Sequence, residues 1–181
     1  MEYTPFEIRD MLENMVVLYD TREQDTPALH KRLEGLGCPY ERKKLDFGDY
    51  TCQTLRPDGS MLTMADKVAV ERKMNLDELC QCFGKGRGRF EREFERARDV
   101  GAKLYLLIEN GSLDQAMSGN YRSLMHPDAL TASLFAWQPR YDCRVHFCNP
   151  ENTGAVIYKI LRYELKEYLE EGKDSEYGGE N

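Results

Sequence analysis

The residues with the clearest chemical content lie in three short fragments of the first half of the chain: YDTREQ at 19–24, FGDY at 47–50 and VERKMNLD at 70–77. In an extended strand alternate side chains share a face. Val68 and Val70 are thereby placed toward a core, while Glu71 and Lys73 point the other way together and bring a carboxylate and an ammonium to one spot. Asp20 closes the apolar run MVVLY, and Asp49 follows Gly48 where the chain enters a strand. Strand ends of this kind are where α/β sheets hold ligands. Three carboxylates (Asp20, Asp49 and Glu71) beside Lys73 suit a hard divalent cation, which prefers oxygen ligands to nitrogen or sulfur. With no histidine near the fragments, the expected ion is Mg2+ or Mn2+ rather than zinc. Phosphodiester hydrolysis is the fitting chemistry: the metal polarises phosphoryl oxygens and acidifies its bound water, and Lys73 orients that water or stabilises developing charge. Taken singly, each fragment also reads as a turn, a cap or a solvated charge run. Their joint order in one chain carries the argument.

A second feature is FGKGRGRFEREFERAR, Phe83 to Arg98. Between Lys85 and Arg98 six basic residues face three acidic ones, a local +3 in a chain whose net charge is -7. Gly84, Gly86 and Gly88 make a flexible basic loop. The helix that follows puts Phe90, Phe94 and Ala97 on a core stripe, with Arg89, Arg92 and Arg96 on a neighbouring face. Loops and helix amino termini readily bind phosphate, so Lys85, Arg87, Arg89 and Arg92 are the expected phosphate contacts. The competing reading is an exposed helix laced by Arg89 with Glu93 and Arg92 with Glu95.

The elements that must position these groups alternate between strands and helices, with no internal repeat. Residues 5–14 read as a short leading helix, 15–19 as a buried strand and 26–36 as a helix closed by Gly35 and Gly37. Residues 41–55 and 61–73 read as two long strands joined by the turn RPDGS. Helices are expected at 75–83 and 89–100, and a central strand at 103–109. Glu109 at its end either faces the site or caps the next loop. Pro127 opens a helix to about Gln138 that carries Leu130, Leu134 and Trp137 in the core, and 145–147 is a last strand. Asn149 and Pro150 look like cap and first position of a long closing helix. His30, His126 and His146 are scattered and read as surface or capping groups. The predicted fold is a single α/β domain with a mixed central sheet flanked by helices. Its parts are a helical extension at 1–14, the main domain at 15–171 and a disordered acidic tail at 172–181.

At 181 residues there is little room for a second full-sized domain. A composition of 41% hydrophobic and 31% charged residues excludes collagenous, mucin-like and wholly disordered classes. No apolar run approaches the length of a membrane span, and the acidic amino terminus is unlike a secretory signal. Six cysteines contain no CxxC pair and read as reduced thiols, so the expected compartment is the cytoplasm. The net charge of -7 by itself argues against a nucleic-acid partner, but its distribution weakens that argument. Residues 162–181 hold seven acidic and three basic groups, a net -4.

The combination D-x-R-E at 20–23, G-D-Y at 48–50, E-R-K-x-x-x-D at 71–77, GRFERE at 88–93 and YLLIE at 105–109 resembles the XPF-type nuclease domain family over roughly residues 15 to 170. The resemblance implies a restriction-endonuclease-like fold and metal-dependent endonuclease cleavage of DNA, often of branched, flapped or forked substrates in repair or recombination. It implies Asp20, Asp49 and Glu71 as metal ligands and Lys73 as the catalytic lysine. Arg72 and Asp77 fall on the remaining motif positions, where they would orient phosphate and support the site. Arg22 and Glu23 match the first motif and stand behind it, with Arg22 also near the DNA path. Such domains commonly pair, so a homodimer or heterodimer is expected, with Leu130, Leu134 and Ile160 as contact residues if the core does not claim them. Without helicase segments or a tandem helix-hairpin-helix module, the chain looks like the compact bacterial or phage form. The reading from a different class is a catalytically silent DNA-binding or partner subunit of a nuclease complex. A protein-interaction scaffold is the third, resting on the acidic tail alone.

Overall fold

A computed structural model describes residues 3–174 of the chain. The sheet begins with β1 (Val16–Tyr19), paired in parallel with β2 (Tyr40–Arg42) and antiparallel with β3 (Tyr50–Leu55). β4 (Met61–Thr63) forms a hairpin with β3, and β5 (Val68–Lys73) meets β3 at Tyr50↔Val70. Beyond β5 the sheet turns parallel through β6 (Lys103–Glu109) and β7 (Arg144–Cys148), giving the mixed path β2-β1-β3-β5-β6-β7. Parallel strands need crossover helices, which cover both faces of a sheet.

Strand alternation therefore divides the core in two. On one face, α1 (Pro5–Glu13), α2 (Pro27–Glu34) and α7 (Thr153–Glu170) pack Met11, Leu33 and Leu161 against Val17, Val68 and Leu107. On the other, α3 (Leu76–Phe83), α4 (Arg87–Asp99) and α6 (Pro127–Tyr141) pack Leu79, Phe94 and Trp137 against Ala69, Leu104 and Leu106. Trp137 is fully buried, with Phe83, Phe90 and Phe94 rings within 5.0 Å of its centroid. Its place in the core agrees with its helical spacing.

The two long strands expected at 41–55 and 61–73 are each broken. β2 leaves the sheet edge after Arg42, and residues 43–49 loop back to β3. At the return, Gly48 has φ +68°, and a Cβ there would stand 2.7 Å from the Ala69 Cβ, so only glycine satisfies both demands. The second strand breaks at a turn in which Met64 O accepts from both Lys67 and Val68 N–H at 2.9 Å. A short helix, α5 (Leu113–Ser118), capped by Ser112 and ended by Gly119 at φ +72°, occupies a stretch with no element expected. The closing helix starts at Thr153, because Pro150–Asn152 first make a 3-10 turn.

At the carboxyl end of α7, Asp174 accepts from the Tyr3 hydroxyl at 2.5 Å and from Arg56 Nε at 2.7 Å. Of the acidic tail expected at 172–181, residues 175–181 lie outside the described residues. No described helix is long and apolar enough to cross a membrane.

Candidate active site

Backbone pairing stitches the three motif fragments into one edge-on row. Asp20 N–H donates to Asp49 O at 2.8 Å, and Asp49 N–H donates to Val70 O at 2.8 Å. The Arg72 N–H then donates to Asp49 Oδ2 at 2.8 Å, so the side chain of Asp49 is oriented by the strand that carries Glu71. β5 alternation places Glu71 and Lys73 on the α3/α4 face. They join Asp49 in a cleft of about 960 Å³ whose other walls come from the basic loop and from residues 123–125.

Glu71 and Lys73 are both buried, with Lys73 Nζ 2.6 Å from Glu71 Oε1 and 4.8 Å from the Phe90 ring centroid. Burial disfavours the Lys73 ammonium, but Glu71, Cys82 and Asp49 around it together prevail and raise its pKa. Burial also raises the Glu71 carboxyl, against the pull of Lys73. Burial raises the half-buried Asp49 well above the usual carboxylate range, and the neighbouring Glu71 charge adds to the effect. Two carboxylates held close in a poorly solvated place resist joint ionisation, which is the electrostatic state that a cation relieves.

Asp20 behaves differently. Its side chain is fully buried, and both oxygens are engaged: Oδ1 accepts from Arg22 N–H at 2.7 Å and Arg22 Nε at 2.6 Å, and Oδ2 accepts from Leu45 N–H at 2.7 Å. Burial opposes its ionisation, but these bonds prevail and lower its pKa. It fixes Arg22 and the 43–49 loop behind the cleft. Arg22, half-exposed, lines the cleft and also reaches Gly48 O at 3.3 Å and Glu93 Oε1 at 3.0 Å.

Arg72 follows the same alternation onto the opposite face. Its Nη1 donates to Glu109 Oε2 at 2.8 Å, and Glu109 Oε1 accepts from the Thr153 hydroxyl at 2.7 Å. Glu109 therefore neither faces the cleft nor caps the next loop; it holds Arg72 on the α7 side. Glu23 Oε2 accepts from Arg32 Nη1 at 2.8 Å and from the Tyr50 hydroxyl at 3.1 Å, which places it behind the site. Asp77 reaches the loop before α6, where its Oδ1 accepts from the N–H groups of Arg122 and Ser123 at 2.8 and 2.7 Å.

Of the basic residues, Lys85 and Arg89 line the cleft and Arg87 and Arg92 do not. Arg87 lies over the Trp137 ring, 5.9 Å from its centroid, and reaches the Ser133 hydroxyl. The lacing of Arg89 with Glu93 and Arg92 with Glu95 does not form: Glu93 is turned inward to Arg22 and, at 2.8 Å, to Arg96. Among the described residues Lys85, Arg89 and Arg92 make no ion pair. Along the sequence Glu93 reads as a surface partner of Arg89; its i,i+3 spacing from Phe90, on the core stripe, is the signal of its inward face. The wall at Ser123, Leu124 and Met125 had no signal in spacing or composition.

The donor set bears on a metal. Among the described residues no three His, Cys, Asp or Glu side chains converge as a ligand group, so the three-carboxylate set does not assemble. Asp49 and Glu71 each keep one oxygen without a hydrogen bond among the described residues. Two carboxylates fit Mg2+, which is commonly held by one or two of them together with water and substrate phosphate. The residues present therefore fit the group, which Asp49 and Glu71 would hold.

Comparison with known proteins agrees with this architecture. The ERCC4 domain matches residues 19–160. The chain is similar to XPF from Aeropyrum pernix, with a TM-score of 0.59 and 26% identity, covering 82% of this chain and 60% of that one. In fold it is also similar to XPF from Aeropyrum pernix in complex with DNA, with a TM-score of 0.59 and 24% identity, covering 84% of this chain and 66% of that one. It thus corresponds to a part of each of those structures. No curated protein matches it.

Proposed function

The chain belongs to the ERCC4 domain family, and on that premise we propose that it is a DNA endonuclease that hydrolyses phosphodiester bonds with Mg2+ or Mn2+. The observation that carries this reading is the convergence of Asp49, Glu71 and the charged Lys73 in a cleft that also holds Lys85 and Arg89. Asp49 and Glu71 hold the cation. When bound, it supplies Lewis-acid polarisation of a phosphoryl oxygen. Lys73, held as a cation by its 2.6 Å pair with Glu71 Oε1, orients the attacking water or stabilises the charge that develops on phosphorus oxygens. Arg22, fixed by Asp20 and Glu93, presents its half-exposed guanidinium to the same space. Lys85 and Arg89 take flanking phosphates. Arg72 acts through its N–H, which orients the Asp49 carboxylate, and Asp77 acts through the 122–123 loop; neither side chain touches substrate.

The substrate class proposed is branched or flapped DNA, and the proposed assembly is a pair of nuclease domains. Leu130 and Leu134 are buried in the core and Ile160 packs against it, so pairing has to use other surfaces. Phe135 on α6 and Tyr163 on α7 are among the exposed apolar groups that could serve.

Incubation of supercoiled plasmid and flapped oligonucleotides with Mg2+, Mn2+ or EDTA tests the reading. Cleavage that EDTA abolishes and Asp49→Asn eliminates is the expected result. Binding of flapped DNA with no cleavage in either ion would instead establish a silent DNA-binding subunit, the reading that the full engagement of Asp20 favours.

A further inference from the structure

The segment between α5 and α6 is a stiff lip and not a slack connector. Asp77 pins it through the Arg122 and Ser123 N–H groups, with the Arg122 guanidinium 3.6 Å from Asp77 Oδ2. The segment also bonds to itself: the Tyr121 hydroxyl donates to Met125 O at 2.9 Å, and the Met125 N–H donates to Ser123 Oγ at 3.2 Å. Met125 reaches across to the basic loop, where a Cβ on Gly84 would stand 3.6 Å from its Cε. Between these anchors Leu124 stands at 102% relative exposure, on the wall of the same cleft that holds Asp49, Glu71 and Lys73.

A single exposed leucine is ordinary on a protein surface. The position of Leu124 is not ordinary, because a pinned backbone holds it out on the rim of a cleft otherwise furnished with charge. An occupant long enough to run from Asp49 and Glu71 to that wall meets Leu124 too. If the occupant is DNA, its phosphates answer Lys85 and Arg89, and its largest apolar surfaces are the faces of the bases. Those faces are reachable where a base is unpaired or a step is unstacked, as with the apolar wedges of minor-groove proteins and the stacking platforms of single-strand binders.

We propose that Leu124 is a specificity-determining contact: the lip holds it against the face of a nucleobase beside the scissile phosphate. The cleft then favours DNA with an unstacked step there, such as a junction between single strand and duplex. This rests on the nuclease reading above and adds to it the feature of the substrate that the cleft reads.

The test uses 2-aminopurine placed at the junction of a flapped duplex, with Ca2+ in place of Mg2+ so that binding is read without turnover. Wild-type protein raises the fluorescence, Leu124→Met keeps the rise and Leu124→Ser loses it. In Leu124→Ser the preference for the junction over continuous duplex falls about tenfold, the scale of burying one leucine side chain. The salt dependence of binding is unchanged, because no charge is removed. DNA binding with no change in fluorescence, or an equal rise with Leu124→Ser, overturns the lip assignment alone. No binding to any DNA by the wild type overturns it together with the nuclease reading.

Discussion

Glu93 Oε1 accepts a hydrogen bond from Arg22 Nη1 at 3.0 Å, which ties the D-x-R-E fragment to α4, 71 residues further along the chain. Glu93 also pairs with Arg96, so one buried carboxylate serves two half-exposed guanidiniums. Glu93→Ala should cost about 1–2 kcal/mol in urea unfolding, because water replaces part of each pairing. Glu93→Gln keeps an acceptor for Arg22 and should retain more of both stability and cleavage rate. Equal behaviour of the two variants would show that the pair does not hold Arg22.

Asp49→Asn and Glu71→Gln should each abolish cleavage in Mg2+ and Mn2+ while circular dichroism stays native. Each removes an anionic oxygen and little volume. Full activity in either purified variant would sink the proposed mechanism.

Divalent ions should raise the melting temperature through binding linkage, since the folded chain holds the two carboxylates together and the unfolded chain does not. At a hundred times the dissociation constant the gain is about 2.7 kcal/mol. Asp49→Asn should lose most of the shift, measured by differential scanning calorimetry.

Asp20 carries a pH signature. Its folded pKa is lowered, so its stabilising contribution is present above the ordinary carboxylate pKa of about 4 and is lost as pH falls through the lower folded value. Asp20→Asn removes that contribution. The stability gap between wild type and variant should therefore be widest near neutrality and narrow below about pH 4. A gap that widens with acid would reverse the assignment.

For DNA binding, Lys85 and Arg89 line the cleft and Arg87 does not. The double variant Lys85→Ala, Arg89→Ala should flatten the slope of log affinity against log salt by about two units. Arg87→Ala should leave the slope nearly unchanged and destabilise the packing on Trp137 instead. A slope that responds equally to Arg87 would place the backbone path on the other side of α4.

The sequence by itself determined the alternating α/β pattern, the core role of Trp137, and the sharing of one face by Glu71 and Lys73. These follow from periodicities of 2 and 3.6, which are local properties of the backbone. It also carried the ordered motifs that the ERCC4 domain match spans. Which motif residues reach the cleft was decided by tertiary structure. The same alternation that brings Glu71 and Lys73 inward sends Arg72 to Glu109 on the far face, yet nothing local says which face bears the cleft. Asp20 is consumed by Leu45 and Arg22, and Asp77 by a loop 45 residues away. Glu93 turned inward to meet a partner that local i,i+4 pairing could not supply. A side chain's hydrogen-bond partners depend on which segments the sheet and helices bring together in space, and that juxtaposition is set by burial of the two cores rather than by spacing along the chain.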